Sequence, residues 1–279
     1  MIRQLALAAI LLGSKIAPAS AVSEGDLQRL RDSGFRSCPG CDLAGADLAG
    51  AGMNGADLKE AELREAKLGG AELIGATLAG ANLFGADLAE AVLEGADLTH
   101  ASLDWARLPD ARLIGADLAD TSLDHADLTG ANLDGASLDG SSSSFAKLSG
   151  ANLVGARLIG ANLFRAELRG ANLDRADLAG ASMAEADLTG ARFKGANLEN
   201  VDLAKADITG AVLAPAALSV RDVPIGLRGL ATVLVLDAED LSVLEQFRDW
   251  LHQAGLDDLA REATVAIERN RACRPPSRC

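Results

Sequence analysis

One five-residue phrase runs unbroken through most of this chain. Ala56-Asp57-Leu58-Lys59-Glu60, Ala81-Asn82-Leu83-Phe84-Gly85 and Ala171-Asn172-Leu173-Asp174-Arg175 are three instances of it. From Leu43 to Leu218 every fifth residue is Leu, apart from Met53, Ser143, Met183, Phe193 and Ile208. A period of five fits neither the helical turn nor the alternation of a flat strand. It fits a square coil in which each pentad makes one side and turns one corner. With the central Leu as position i, Leu at i and Ala at i−2 point inward, while i−1, i+1 and i+2 face solvent. Ala suits i−2 because four sides converge there. Gly dominates i+2 because a corner calls for positive φ or close backbone approach.

The phrase resembles the A-(D/N)-L-x-x signature of the pentapeptide-repeat family, over about two-thirds of the chain. The resemblance implies an all-β solenoid, a right-handed quadrilateral β-helix with four pentads per coil. The repeat then makes about nine coils, and a strand spacing of about 4.8 Å gives a rod roughly 43 Å long. Exposed residues test this coil independently. One i−1 column, stepping a coil at a time, reads Asp47, Lys67, Asp87, Arg107, Asp127, Lys147, Glu167, and its charge alternates at every step. Opposite charges on adjacent strands attract by about 0.2–1 kcal/mol per pair.

The ends read differently. Residues 1–21 have the grammar of a secretory signal peptide, with Arg3, an apolar run from Leu5 to Gly13, and Ala19-Ser20-Ala21 before Val22. Cleavage near Ala21 would leave an extracytoplasmic chain, periplasmic or secreted, and the apolar run is too short to span a bilayer. Residues 22–40 read as an N-terminal cap. Within it, Ser23 and Asp26 resemble a capping box, Leu27 and Leu30 form a stripe, and Gly34 suits the position after a helix. The β-helix spans 41–220.

Residues 221–279 read as a connector and a small C-terminal α-helical hairpin. Residues 229–236 suit a strand or buried connector. Asp240 to Ala254 and Asp257 to Ala272 suit two helices separated by Gly255. A solenoid has two open ends that need such caps. A homodimer through the hairpin or an open rod end is the other use they could have.

The cysteines lie in two doublets flanking the repeat, Cys38/Cys41 and Cys273/Cys279. An exported chain favours disulfides, and the rod keeps its ends apart, so pairing within each doublet is expected. Cys38-Pro39-Gly40-Cys41 has C-x-x-C spacing but no surrounding βαβ pattern, which points to a structural staple rather than a redox site.

Net charge of −14 disfavours direct binding to a phosphate backbone. The histidines are His100, His125 and His252, and no Walker loop, dinucleotide fingerprint or HExxH occurs. With no nucleophile–base grouping, the expectation is a non-enzyme without cofactor or metal.

One departure from the repeat stands out. A corner column reads Glu65, Gly85, Trp105, His125, Phe145, Arg165, Glu185, Lys205, whereas most other corners are Gly. Behind it Thr121, Ser141 and Ser143 occupy inward slots, flanked by Asp104 and Asp124. Either the rings merely stack for modest stability, or Trp105, His125, Phe145 and Arg165 form a binding stripe, since exposed aromatics and Arg favour recognition. The leading expectation is an exported interaction or scaffold rod with a protein partner. The resemblance also implies an alternative, because some members of the family mimic DNA and protect type II topoisomerases. Export would separate the chain from that target, and the Lys/Arg of the alternating column, with Arg157, Arg165, Arg169 and Arg175, partly neutralises the acid.

Overall fold

The computed structural model describes residues 22–214, 217–220, 227–229, 241–253 and 255–272. The expected signal, most of the expected connector, and Cys273 and Cys279 lie outside the described residues.

The pentad resolves into a complete hydrogen-bond scheme. In the pentad around Leu58, the Leu58 N–H donates to the Thr77 carbonyl at 2.8 Å and the Asp57 N–H to Arg36 at 2.9 Å. The Glu60 N–H donates to Ala79 at 2.9 Å, and the Ala61 N–H closes a turn on Leu58 at 3.1 Å. Each coil thus bonds to the one before and the one after. Parallel bridges such as Ser37↔Asp57, Asp57↔Thr77 and Thr77↔Asp97 continue this pattern to Asp207↔Arg228. The ladder begins one pentad ahead of Cys41, at Ser37. Near the C-terminal end the bridges widen into short strands. Parallel pairs join β1 (Arg192–Lys194) to β3 (Val212–Ala214) and β2 (Asn197–Val201) to β4 (Ala217–Val220).

The N–H at i+1 finds no carbonyl among the described residues, and an orphaned amide is costly. Asp or Asn at i−1 supplies the acceptor. Lys59 N–H donates to Asp57 Oδ1 at 3.2 Å, Thr99 N–H to Asp97 Oδ1 at 3.0 Å, and Thr129 N–H to Asp127 Oδ1 at 3.1 Å. This is the physical reason for the D/N in the phrase. In several pentads where i−1 is neither residue, an Asp or Asn at i+1 of the preceding coil takes over. Ile74 N–H donates to Asn54 Oδ1 at 2.9 Å, Ile159 to Asp139 Oδ1 at 2.9 Å, and Lys194 to Asp174 Oδ1 at 2.8 Å.

Corners sit in the left-handed region, with φ near 64° at Gly50 and 62° at Gly115, as the third residue of a type II turn requires. Inside, Leu and Ala columns such as Leu63, Leu83, Ala61 and Ala81 have no exposed surface. Each buried Leu contributes about 2 kcal/mol before entropy is counted.

Both ends are covered. Helix α1 (Glu24–Asp32) starts at Ser23, whose side chain accepts the Asp26 N–H. It ends with Gly34 at φ 68° and with Phe35 N–H bonded back to Leu30 at 2.9 Å. That paired arrangement satisfies the last carbonyls of a helix. Leu27 and Leu30 are buried on the first coil, and Cys38 and Cys41 lie at disulfide distance with Cα atoms 5.4 Å apart. At the other end, α2 (Ser242–Gln253) and α3 (Asp257–Ala272) pack on each other. Phe247 of α2 closes over Leu203, Ile208, Leu213 and Leu227, leaving only about 20 Å³.

Candidate functional site

Corner side chains lean along the rod toward the next coil, so a corner column becomes a line of touching groups. The Trp105 and His125 rings stack at 4.2 Å and 14°, and His125 stacks on Phe145 at 4.8 Å and 8°. The coil spacing of about 4.8 Å is close to a stacking distance, which is why consecutive rings fall into register. Arg165 follows, its guanidinium carbon 5.7 Å from the Phe145 centroid and 5.1 Å from that of Phe164. Arg165 Nε then donates to Glu185 at 2.5 Å, and Lys205 Nζ donates to the same carboxylate at 3.1 Å. The four residues singled out in sequence, Trp105, His125, Phe145 and Arg165, therefore form one continuous edge.

Phe164, Glu185 and Lys205 complete that edge without having been singled out. Phe164 stands edge-on to Phe145 at 5.7 Å. It sits at i+1, immediately before Arg165, so its signal was in the neighbouring column of the same face. Two cationic donors hold the Glu185 carboxyl below its ordinary range, Arg165 contributing more than Lys205.

A polar seam runs beside the rings. Asp104 Oδ1 accepts from the Asp124 N–H at 3.0 Å and from Ser122 Oγ, and Asp124 Oδ1 accepts from the Ser144 N–H at 2.8 Å and Ser142 Oγ at 2.7 Å. The amide bonds run straight, from i+1 of one coil to i+1 of the next, and the hydroxyl bonds run diagonally, from i+1 of one coil to i−1 of the next. The same diagonal carries ion pairs elsewhere, Arg157 with Asp139 at 2.6 Å and Arg192 with Asp174 at 2.9 Å. Straight along the alternating column, Lys67 reaches Asp47 at 3.6 Å and Arg107 reaches Asp87 at 3.4 Å. Behind the seam Thr121, Ser141 and Ser143 are buried, as the sequence implied. Thr121 Oγ1 donates to the Leu98 carbonyl at 2.9 Å, but Ser141 Oγ has no partner among the described residues.

His100 lies 3.9 Å from Asp120 on an exposed surface. His252 Nδ1 lies 2.8 Å from Asp257 beside an open concavity of about 460 Å³ between α2 and α3. Neither pair contacts a nucleophile among those described. Among the described residues no His, Cys, Asp or Glu group is arranged to hold a metal, and no helix is long and apolar enough to cross a membrane.

Comparison with known proteins decides the family. The description "Pentapeptide repeats" matches in 8 copies, over residues 41–80, 76–113, 106–142, 144–180 and 181–213. The chain is a pentapeptide-repeat protein. Among solved pentapeptide-repeat proteins it is similar to HetL of the cyanobacterium Nostoc, involved in heterocyst differentiation regulation. That match has 32% identity over 78% of this chain and 98% of HetL, with a TM-score of 0.48. It is also similar to a trypsin-treated variant of QnrB1, a plasmid-mediated fluoroquinolone resistance protein, at 20% identity over 70% of this chain and 95% of QnrB1, with a TM-score of 0.53. No match is found among curated proteins. This pentapeptide-repeat protein is accordingly a right-handed β-helical solenoid, as the resemblance in its sequence implied.

Proposed function

We propose that this protein is an exported, non-enzymatic rod that binds a protein partner along the Trp105–His125–Phe145–Arg165 edge. In this reading residues 1–21 direct export and are cleaved near Ala21. Residues 22–40 cap one end, 41–220 form about nine coils, and 221–279 connect to a helical hairpin over the other end.

The supporting observation is the backbone beneath the stripe. Trp105, His125, Phe145 and Arg165 hold φ of 61°, 61°, 60° and 57°, a conformation that costs non-glycine residues about 1–2 kcal/mol each. A ring stack returns only about 0.5–1.5 kcal/mol per pair. The two stacks among the three ring corners therefore offset only about half of the strain and leave no surplus over glycine, which another corner column uses at Gly55, Gly75, Gly95, Gly115 and Gly135. Trp105, 56% exposed, and Phe145, 37% exposed, are also among the most exposed large apolar residues described. Recognition is what such an edge supplies.

The test is a matched pair of immobilised baits, wild type and Trp105→Ala, exposed to extracytoplasmic extract. The reading expects a partner retained by wild type and lost from the variant, at a temperature where both baits are fully folded. Equal retention on both baits overturns it.

A second reading, protection of a type II topoisomerase by DNA mimicry, is favoured by the net charge of −14. Cell fractionation separates the two. A mature N-terminus at Val22 outside the cytoplasm removes the topoisomerase role, and a cytoplasmic chain retaining residues 1–21 removes export.

A further inference from the structure

The two ends of the ring stack are built alike, with one component missing. At the C-terminal end, Phe145 is followed by Arg165 and then Glu185, with Phe164 beside the guanidinium. At the N-terminal end, Trp105 is preceded by Gly85 and then Glu65, with Phe84 beside the glycine. Ring, carboxylate and flanking Phe recur in mirror order, but the rung between them has no side chain.

The consequences of that gap are visible. Phe164, covered by Arg165, is half-buried, whereas Phe84 at the equivalent position is 43% exposed. Trp105 has His125 on one side and no ring or cation on the other among the described residues. Glu65 makes no ion pair among those residues, and its neighbour Arg64 is engaged by Glu62 at 3.4 Å. The Glu65 side chain nevertheless leans into the vacant rung, its Cγ 3.6 Å from where a Gly85 Cβ would stand.

We infer that the vacant rung at Gly85 is a binding site for an arginine side chain of a partner protein. The guanidinium would lie between the Trp105 face and the Glu65 carboxylate, against Phe84. Two rungs of about 4.8 Å leave room for one planar group. Guanidinium is flat, stacks on aromatic faces and donates to a carboxylate at the same time, which the compact ammonium of Lys does less well. The inference rests on the edge being a protein-binding surface and names the group the partner brings.

The probe is Nα-acetyl-arginine amide, titrated into the full chain while the indole N–H resonances of Trp105 and Trp250 are followed. The expected result is a saturable shift of Trp105 alone, weaker with the lysine analogue. The shift should be lost in Glu65→Gln and in Gly85→Arg, whose own side chain would fill the rung. An arginine is tolerated at such a corner, as φ of 57° at Arg165 and 61° at Arg175 shows. Should Gly85→Arg fail to fold, the exposed Glu65→Gln still decides.

A Trp105 shift no larger than that of Trp250, or undiminished in Glu65→Gln, overturns the inference. Movement of the Trp105 signal on dilution of the free chain would assign the arginine to a second copy and overturn the assignment to a partner. A null result with the probe, alongside partner retention that depends on Trp105, sinks only the arginine assignment. Retention that ignores Trp105, alongside a saturable shift, sinks only the broader reading.

Discussion

The Trp105 indole and the His125 imidazole, twenty residues apart in sequence, lie 4.2 Å apart and nearly parallel. Both do so from a backbone that glycine would occupy without strain. Trp105→Gly therefore exchanges a stack worth about 0.5–1.5 kcal/mol for relief of about 1–2 kcal/mol. Thermal denaturation should find Trp105→Gly within about 1 kcal/mol of wild type. Trp105→Ala, which loses the stack and keeps the strain, should be the less stable of the two variants by about 1 kcal/mol.

The acceptor for the i+1 amide should be exchangeable between coils. Asp124→Ala removes the partner of the Ser144 N–H and of Ser142 Oγ, at a cost of about 1–3 kcal/mol. Adding Ser142→Asn places an acceptor within the same pentad, as Asn132 does for the Asp134 N–H at 3.2 Å. Hydrogen exchange at the Ser144 amide should accelerate in the single variant and return toward wild type in the double one.

Ser143 occupies an inward slot that Leu103, Leu123 and Leu163 fill in neighbouring coils. Ser143→Leu should raise stability by about 2 kcal/mol, read as a higher melting temperature. Ser141→Ala, which removes a buried hydroxyl without a partner, should be neutral or stabilising by about 1 kcal/mol.

The Glu185 contacts carry a pH signature. Its folded-state pKa lies below the ordinary 4.5 because Arg165, and then Lys205, donate to the carboxylate. A depressed folded pKa gives stability that is fully present above the unfolded value and fades as pH falls through the folded one. The melting-temperature difference between wild type and Glu185→Gln should favour wild type at neutral pH. It should shrink below pH 4.5 and diminish with added salt.

Much of the fold was legible because the pentad is a strict spacing rule. Inward Leu and Ala, glycine corners and the coil length follow from counting. The second C-terminal helix, Asp257–Ala272, was legible from its acidic start and basic end. The ring stack was legible for the same reason, since stepping by one coil puts Trp105, His125 and Phe145 in a column.

The diagonal contacts were not. Pairing Asp139 with Arg157, or Asp124 with Ser142, depends on the direction in which an i+1 side chain leaves the coil. A straight column cannot encode that direction. Phe164 escaped for a related reason, because it meets Arg165 from the adjacent column. The role of Asp and Asn at i−1 became specific only when every other N–H in the pentad had a named carbonyl.

The alternation between an acceptor in the same pentad and one in the coil before has a consequence for how such a rod changes length. Removing one whole coil leaves every surviving backbone bond with an equivalent partner and shortens the edge, although it sets like charges side by side in the alternating column. Removing a single pentad rotates everything downstream by a quarter turn, so that what followed Trp105 on its corner would come from a different face. Duplication or loss in this chain therefore keeps the rod's phase in units of four pentads and breaks it in any smaller unit, which makes the edge the most sensitive recorder of that phase.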